Sequence, residues 1–323
     1  MNSSLLISLA ILGCIINIAT SLDAALETVS KHGKLSVNGI QLTDSHGQAV
    51  QLKGMSLFWS VWMPYYWNRP TVDSIHSACH SNIVRAAMAV ENDGYLTHPD
   101  VEMERVETII EAAIADDIYV IVDWHDSESE KYLSESKDFF DKISKKYGRY
   151  PNIIYETYNE PIGQSWSAVI KPYHQSVINT IRANDPDNVI LLGTPHYNQE
   201  YDSVINDPIT GQRNIMYTLH FYSNEGGNDQ LRDRADKAMS AGLPIFVTEY
   251  GTSMGSGNGT VNAAATQVWY DWLDGNGISY VNWALSDKDE SASSQIAGTP
   301  PEQACQDNYL TESGRIVVAQ NRK

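Results

Sequence analysis

Eight short apolar runs, rich in β-branched residues, recur along the chain with amphipathic segments between them, and this spacing constrains the fold more than any other feature. They are Val50 to Met55, Asn82 to Met88, Ile118 to Asp123, Ile153 to Tyr158, Val189 to Gly193, Ile215 to Phe221, Pro244 to Glu249 and Ile278 to Ala284. Their starts lie 26 to 36 residues apart, the length of a strand plus a crossover helix, and runs without alternation are expected of parallel strands buried on both faces. Helices are expected over Val101 to Ala115, with Val106, Ile109, Ile110 and Ala113 on one side, and over Ser165 to Ala183, with Val169, Tyr173, Val177 and Ile181. Eight such units in about 250 residues favour a closed (β/α)8 TIM barrel over an open doubly wound sheet. The first strand lacks the GxGxxG turn of a dinucleotide site, so nicotinamide chemistry is excluded. Lys34 to Asp44 alternates around Asn38-Gly39 and is expected to form a hairpin over the barrel floor. A last helix is expected near Thr311 to Ala319, with no linker and no separate binding module.

Composition narrows the partners. Asp and Glu number 40 against 22 Lys and Arg, a net charge of −18 without any basic cluster, which repels a phosphate backbone and excludes nucleic acid. The apolar run from Leu5 through Ile18 is expected to be a secretory signal over residues 1–21, cut after Ala19-Thr20-Ser21, although a retained anchor has the same composition. Residues 22–323 would then be one catalytic domain, secreted and monomeric, with no membrane contact after cleavage. Cys79 and Cys305 remain in that domain, and free thiols or one disulfide are both open. Asn258-Gly259-Thr260 is a glycosylation acceptor in a secreted chain. No CxxC or HExxH pair occurs, so neither a metal nor any other cofactor is expected.

In a barrel, functional groups gather where strands end at the C-terminal face. Strand 2 supplies Arg85, strand 3 ends at Asp123-Trp124-His125, strand 4 at Asn159-Glu160-Pro161, strand 6 at His220-Phe221-Tyr222, strand 7 at Glu249-Tyr250-Gly251, and strand 8 holds Trp283. A lone Glu at a strand end is often just solvated. Several ionisable groups closing buried strands are hard to accommodate unless they neutralise one another in a shared site. Two acids on strands 4 and 7 can straddle a bond that takes a proton from one side and a nucleophile from the other, as in a glycosidase.

At Gln51-Leu52-Lys53-Gly54-Met55-Ser56, Val84-Arg85-Ala86-Ala87-Met88, Val122-Asp123-Trp124-His125, Tyr155-Glu156-Thr157-Tyr158-Asn159-Glu160-Pro161, Leu219-His220-Phe221-Tyr222, Val247-Thr248-Glu249-Tyr250-Gly251 and Asn282-Trp283-Ala284-Leu285-Ser286-Asp287-Lys288 the chain resembles glycoside hydrolase family 5, in particular the endo-β-1,4-glucanases of its subfamily 2. The resemblance runs from about Leu35 to Val317. It implies Glu160 as acid/base and Glu249 as nucleophile, with Arg85, His125, Asn159, His220, Tyr222 and Trp283 around the cleaved sugar. It also implies that Lys288, Glu290 and Tyr95 bind sugar beyond the cleaved unit. The substrate would be a β-glucan polysaccharide or oligosaccharide, with a mannan, glucomannan or mixed-linkage glucan as the alternative, and a catalytically silent sugar-binding barrel as the reading from another class.

Physical reasoning on the residues adds expected roles. Glu249 stays ionised if Arg85 and Tyr222 donate to it, the negative Glu249 raises the pKa of Glu160, and Asn159 reaches the sugar 2-hydroxyl. Trp283 and Trp62 are expected as sugar platforms, because the C–H faces of glucose lie flat on aromatic rings. The other members of the cluster Phe58, Trp59, Tyr65, Tyr66 and Trp67 are expected to pack beneath a loop. Bacterial members of the family carry His where Phe58 stands and often Trp where Tyr197 stands; Tyr197 is a substrate-contact candidate on that basis.

Overall fold

The computed structural model describes residues 28–323; the expected signal, its cleavage point and Cys14 lie outside the described residues. All eight apolar runs form strands: β3 (Lys53–Leu57), β4 (Ile83–Ala89), β5 (Tyr119–His125), β6 (Ile153–Glu156), β7 (Ile190–Leu192), β8 (Ile215–Tyr222), β9 (Ile245–Gly251) and β10 (Tyr280–Leu285). Every residue of β4 and β5 is buried, as strands covered on both faces require. The strands pair in parallel in chain order, and β10 closes on β3. The chain is therefore a (β/α)8 barrel.

Alternation within the strands sorts residues between two layers. Ile83, Tyr119, Ile121, Ile154, Leu191, Met216, Phe246 and Val281 fill the lower barrel interior. Their neighbours Val84, Val120, Val122, Tyr155 and Tyr217 face the surrounding helices, together with Ile109, Ile110, Phe139 and Ile143. Above the apolar interior layer, the same inward register delivers Arg85 from β4, Asp123 and His125 from β5 and Glu156 from β6.

The hairpin comprises β1 (Ser36–Asn38) and β2 (Gln41–Thr43), and its flanking Leu35 and Leu42 pack with the lower interior layer, so it closes the barrel floor. Its turn lies one residue later than expected. Asn38 pairs with Gln41, leaving Gly39-Ile40 as the two-residue loop, with Gly39 at φ 61° as a type II′ turn requires of its first central residue. The helix expected from Val101 starts at Pro99, and the one expected from Ser165 opens with a π turn over Trp166–Ile170 before Lys171–Arg182. That inserted residue shifts the buried stripe, so Ile170 rather than Val169 faces the core.

Cys79 and Cys305 are joined in a disulfide across 226 residues. The bond ties the segment ahead of the final helix (Glu312–Asn321) to the turn before β4, alongside Tyr66 Oη donating to Thr299 O at 2.8 Å and Ser74 Oγ to Pro301 O at 3.1 Å. Among the described residues no helix is long and apolar enough to cross a membrane.

Candidate active site

The polar strand ends converge on a cleft of about 560 Å³ at the C-terminal face. At its base Arg85 is fully buried, with Nε on Glu156 at 2.7 Å, Nη1 on Glu249 at 2.9 Å, and Nη2 on Asp123 at 2.9 Å and Asn159 Oδ1 at 2.6 Å. Burial disfavours the guanidinium, but Asp123, Glu156 and Glu249 outweigh it and hold the Arg85 pKa above its ordinary value. Burial also opposes the charge of Glu156, yet Arg85 and then His220 bring its pKa down to about 2. One arginine thus organises three inward acids.

Glu249 reaches this cluster through an irregularity in β9. Phe246 faces inward, so strict alternation would turn Thr248 inward and Glu249 toward the helices. The register shifts against both neighbours: Thr218 pairs with Phe246 but His220 with Glu249, and Tyr280 pairs with Val247 but Asn282 with Tyr250. The extra β9 residue is a bulge that brings Thr248 and Glu249 to the interior together. There Glu249 Oε1 accepts from Tyr222 Oη at 2.7 Å while Oε2 accepts from Arg85, which fixes the carboxylate plane.

Glu160, whose side chain is 21% exposed, faces Glu249 across the cleft, and oxygens of the two lie within 4.8 Å of each other. His220 Nδ1 bonds Glu160 Oε1 at 2.7 Å and its Nε2 bonds Thr248 Oγ1 at 2.8 Å. Burial works against a charged His220, but Glu249, Glu156 and Glu160 raise its pKa to about 9. The expected upward shift of Glu160 is not what the structure gives. Burial pushes it up, but the His220 hydrogen bond and charge pull it below the ordinary value, so at neutral pH the two form a charged pair sharing one proton. The expectation weighed Glu249 and lacked the histidine.

His125 is the opposite case: burial, then Arg85, lower its pKa to about 3, so it is neutral. Its Nδ1 lies 2.7 Å from Asp123 Oδ2 and 3.5 Å from Arg85 Nη2, which fixes the plane of the ring. Asn159, with Oδ1 on Arg85, lines the cleft beside Glu160. Behind it, His196, Tyr197 and Asn198 all have positive φ; this turn docks through Tyr197 N on Pro161 O at 2.9 Å and Asn198 Nδ2 on Asn159 O at 2.6 Å. Half-exposed Tyr197 thereby enters the cleft wall.

Trp283 stacks on His125 at 5.2 Å with 4° between planes, and Lys288 and Glu290, paired with each other, line the same end. Trp62 is 52% exposed and stacks on Trp59 at 4.7 Å and 6°. Phe58 is buried in the core as expected and also borders the cleft, where Trp59 joins it; Tyr66 and Trp67 are buried as expected, whereas Tyr65 is 46% exposed, which corrects its assignment to packing. Tyr95 is a second correction. It is 4% exposed and packs edge-on against Trp124 and Phe139, outside the cleft lining, because Trp124 occupies the helix-facing register of β5. Sequence reasoning missed Glu156 and Thr248 as site residues; the available signal was a Glu inside an apolar run, Ile153-Ile154-Tyr155-Glu156.

Glu160, His220 and Glu249 are close enough to surround a cation. Their donor atoms are already engaged by one another, by Arg85, Tyr222 and Thr248, and a guanidinium 2.9 Å from Glu249 opposes a second positive charge. The arrangement suits proton transfer and nucleophilic attack at one bond.

The model of the cellulase family, glycosyl hydrolase family 5, matches residues 43–289. Endoglucanase Z of Dickeya dadantii is 44% identical over 287 residues, covering 88% of this chain and 65% of that protein. An endoglucanase of Clostridium saccharobutylicum is 40% identical, covering 91% and 66%. The chain thus spans just under two thirds of the length of these curated relatives. Among solved structures, one from Cytophaga hutchinsonii superposes with a TM-score of 0.89 at 46% identity, covering 91% of this chain and 96% of the other. The catalytic domain of Thermobifida fusca endoglucanase Cel5A gives 0.86 at 32% identity, covering 91% and 99%, and a further structure of that domain holds cellotetraose.

Proposed function

We propose that this chain, which belongs to glycosyl hydrolase family 5, hydrolyses internal β-1,4-glucosidic bonds of cellulose and related β-glucans by double displacement. The observation that carries the reading is the pair Glu160 and Glu249, with oxygens within 4.8 Å across the cleft. This is the close spacing of a retaining glycosidase, about 5–5.5 Å between carboxyl groups, and leaves no room for the water that an inverting pair needs at 6.5–9.5 Å. Relatives bearing the name endoglucanase, and the cellotetraose held by the Thermobifida domain, support a β-glucan substrate.

In the first step Glu249 attacks the anomeric carbon and forms a glycosyl ester while the leaving oxygen takes a proton from Glu160. Substrate entry strips water from partly exposed Glu160, which favours its neutral form, so the proton shared with His220 moves onto it. In the second step Glu160 takes a proton from water, the hydroxide displaces the ester, and His220 recovers the proton. Neutral His125, Asn159 and Tyr222 surround the sugar, and Trp283 and Trp62 offer it flat apolar faces. Secretion accords with the Cys79–Cys305 disulfide and the apolar leader.

The test is release of reducing ends from carboxymethyl-cellulose. Glu160→Gln and Glu249→Gln should each lower it by a factor of about 10²–10⁴ or more while the fold persists, and cellopentaose should first release the β-anomer. Full activity in both variants, or initial α-anomer, refutes the mechanism. Rates on glucomannan and lichenan measured beside cellulose decide the preferred polysaccharide.

A further inference from the structure

Glu102 is a buried acid that the mechanism above does not use. It lies in the first turn of the helix Pro99–Ala115, is fully buried, and accepts hydrogen bonds from Ser60 Oγ and from Arg105. Ser60 sits within the loop after β3 that carries Trp59 and Trp62. Its Oγ also accepts the backbone N–H of Ala89, the last residue of β4, at 2.9 Å. Because that N–H occupies a lone pair, the one hydroxyl proton is free to point at Glu102, and Ser60 bridges the loop to both barrel and helix.

We propose that Glu102 is a positioning residue for polysaccharide binding: acting through Ser60, it sets the pose of the stacked Trp59–Trp62 wall. The inference rests on reading the cleft as a β-glucan site. Trp59 and Trp62 belong to one tight turn, with Trp62 N on Trp59 O at 3.0 Å and Met63 N on Trp59 O at 3.1 Å, so moving Ser60 moves both rings. Trp59 is braced on its inner side by the edge of His125 at 4.9 Å, whereas Trp62 is half exposed and leans on Trp59. Val61 borders a hollow of about 340 Å³ lined also by Asp93, His98, Val101, Glu102 and Arg105. A buried acid at such a place is otherwise unfavourable, since burial raises its pKa against the Ser60 and Arg105 contacts that lower it.

The experiment measures cellopentaose binding by tryptophan fluorescence in a Glu160→Gln background, which does not turn the ligand over, and kcat on carboxymethyl-cellulose with Glu160 intact, for Ser60→Ala, Ser60→Thr, Glu102→Gln, Trp62→Ala and the double variant Ser60→Ala with Trp62→Ala. The expected result is a Kd about fivefold higher in Ser60→Ala, the worth of one aromatic contact, with kcat within about twofold of wild type. Glu102→Gln, near-isosteric and so expected to fold, should weaken binding in the same direction, and Ser60→Thr should restore it. The double variant should lose less than the product of the two single effects, because Trp59 is braced by His125 and most of the tether's effect passes through the outer ring. An unchanged Kd in Ser60→Ala and Glu102→Gln, or effects that multiply in the double variant, overturns the proposal. A purely structural role would lower Tm and the active fraction without moving Kd. A wild-type protein that binds cellopentaose without cleaving it would refute the enzymatic reading and leave the Kd series decisive for this one.

Discussion

Arg85→Met removes one cation from beside three buried acids and keeps much of the side-chain length. Asp123, Glu156 and Glu249 then lose partners at 2.9, 2.7 and 2.9 Å. Glu156 sets the scale: burial pushes its pKa up, yet Arg85 and His220 hold it at about 2 against an ordinary 4.5. A depression of that size is worth about 3 kcal/mol above the unfolded pKa, and breaking a buried ion pair costs about 3–5 kcal/mol. Taking about 4 kcal/mol and an unfolding entropy of about 2.1 cal/mol/K per residue, the variant should melt roughly 6–7 °C lower at neutral pH. The sign with pH follows from the depressed pKa. In the wild type this stability is present above pH 4.5 and is lost as pH falls toward 2. In the variant Glu156 loses the cation that offsets its burial and takes up a proton more readily, so acid relieves part of the damage. Calorimetric melting from neutral to acid pH should therefore show the gap between the two proteins narrowing by about half or more toward pH 3. A gap of the same size at both ends, or a neutral-pH loss under about 2 °C, refutes the view that Arg85 holds Glu156 in its charged form.

The His220–Glu160 pair predicts the alkaline limb of kcat/KM. His220 is raised to about 9, so activity should fall above that pH as the shared proton is lost; the stability from its raised pKa is likewise full below pH 6.5 and lost through about 9. In His220→Gln, Glu160 alone holds the proton, and the limb should move to the acid side by about two units or more. An unmoved limb in the pH–rate profile would remove His220 from the proton path. For the disulfide, Cys79→Ser with Cys305→Ser should cost at most about 5 kcal/mol through the loop it closes. Its expected signature is a lower Tm with kcat unchanged at 25 °C, since neither cysteine lines the cleft; equal activity loss and unchanged Tm would contradict it.

Much of the candidate site was legible in the sequence because strand ends in a barrel share one mouth. Arg85, His125, Asn159, Glu160, His220, Tyr222, Glu249 and Trp283 come together as expected, since each closes or lies within an apolar run of parallel-strand length. What escaped sequence reading depended on side-chain direction or on a third partner. Tyr95 was assigned a sugar contact, but it rests against Trp124 on the outside of β5. Glu156 looked like part of an apolar strand, yet its inward register makes it the 2.7 Å partner of Arg85. Trp59 could not be told from its packed neighbours, because a turn of four residues decides which rings face the cleft.

The chain's pattern of apolar runs and intervening amphipathic segments determined the barrel by itself, because strands buried on both faces and spaced by one helix have few other ways to close. It also determined which two acids could meet, by ending their runs at the same face. Tertiary structure alone decided how they meet. A one-residue bulge in β9 overrides alternation and turns Glu249 inward onto Arg85 and Tyr222. A histidine sixty residues away along the chain reverses the expected pKa shift of Glu160. Register and charge pairing are properties of neighbours in space, and the local order of residues does not contain them.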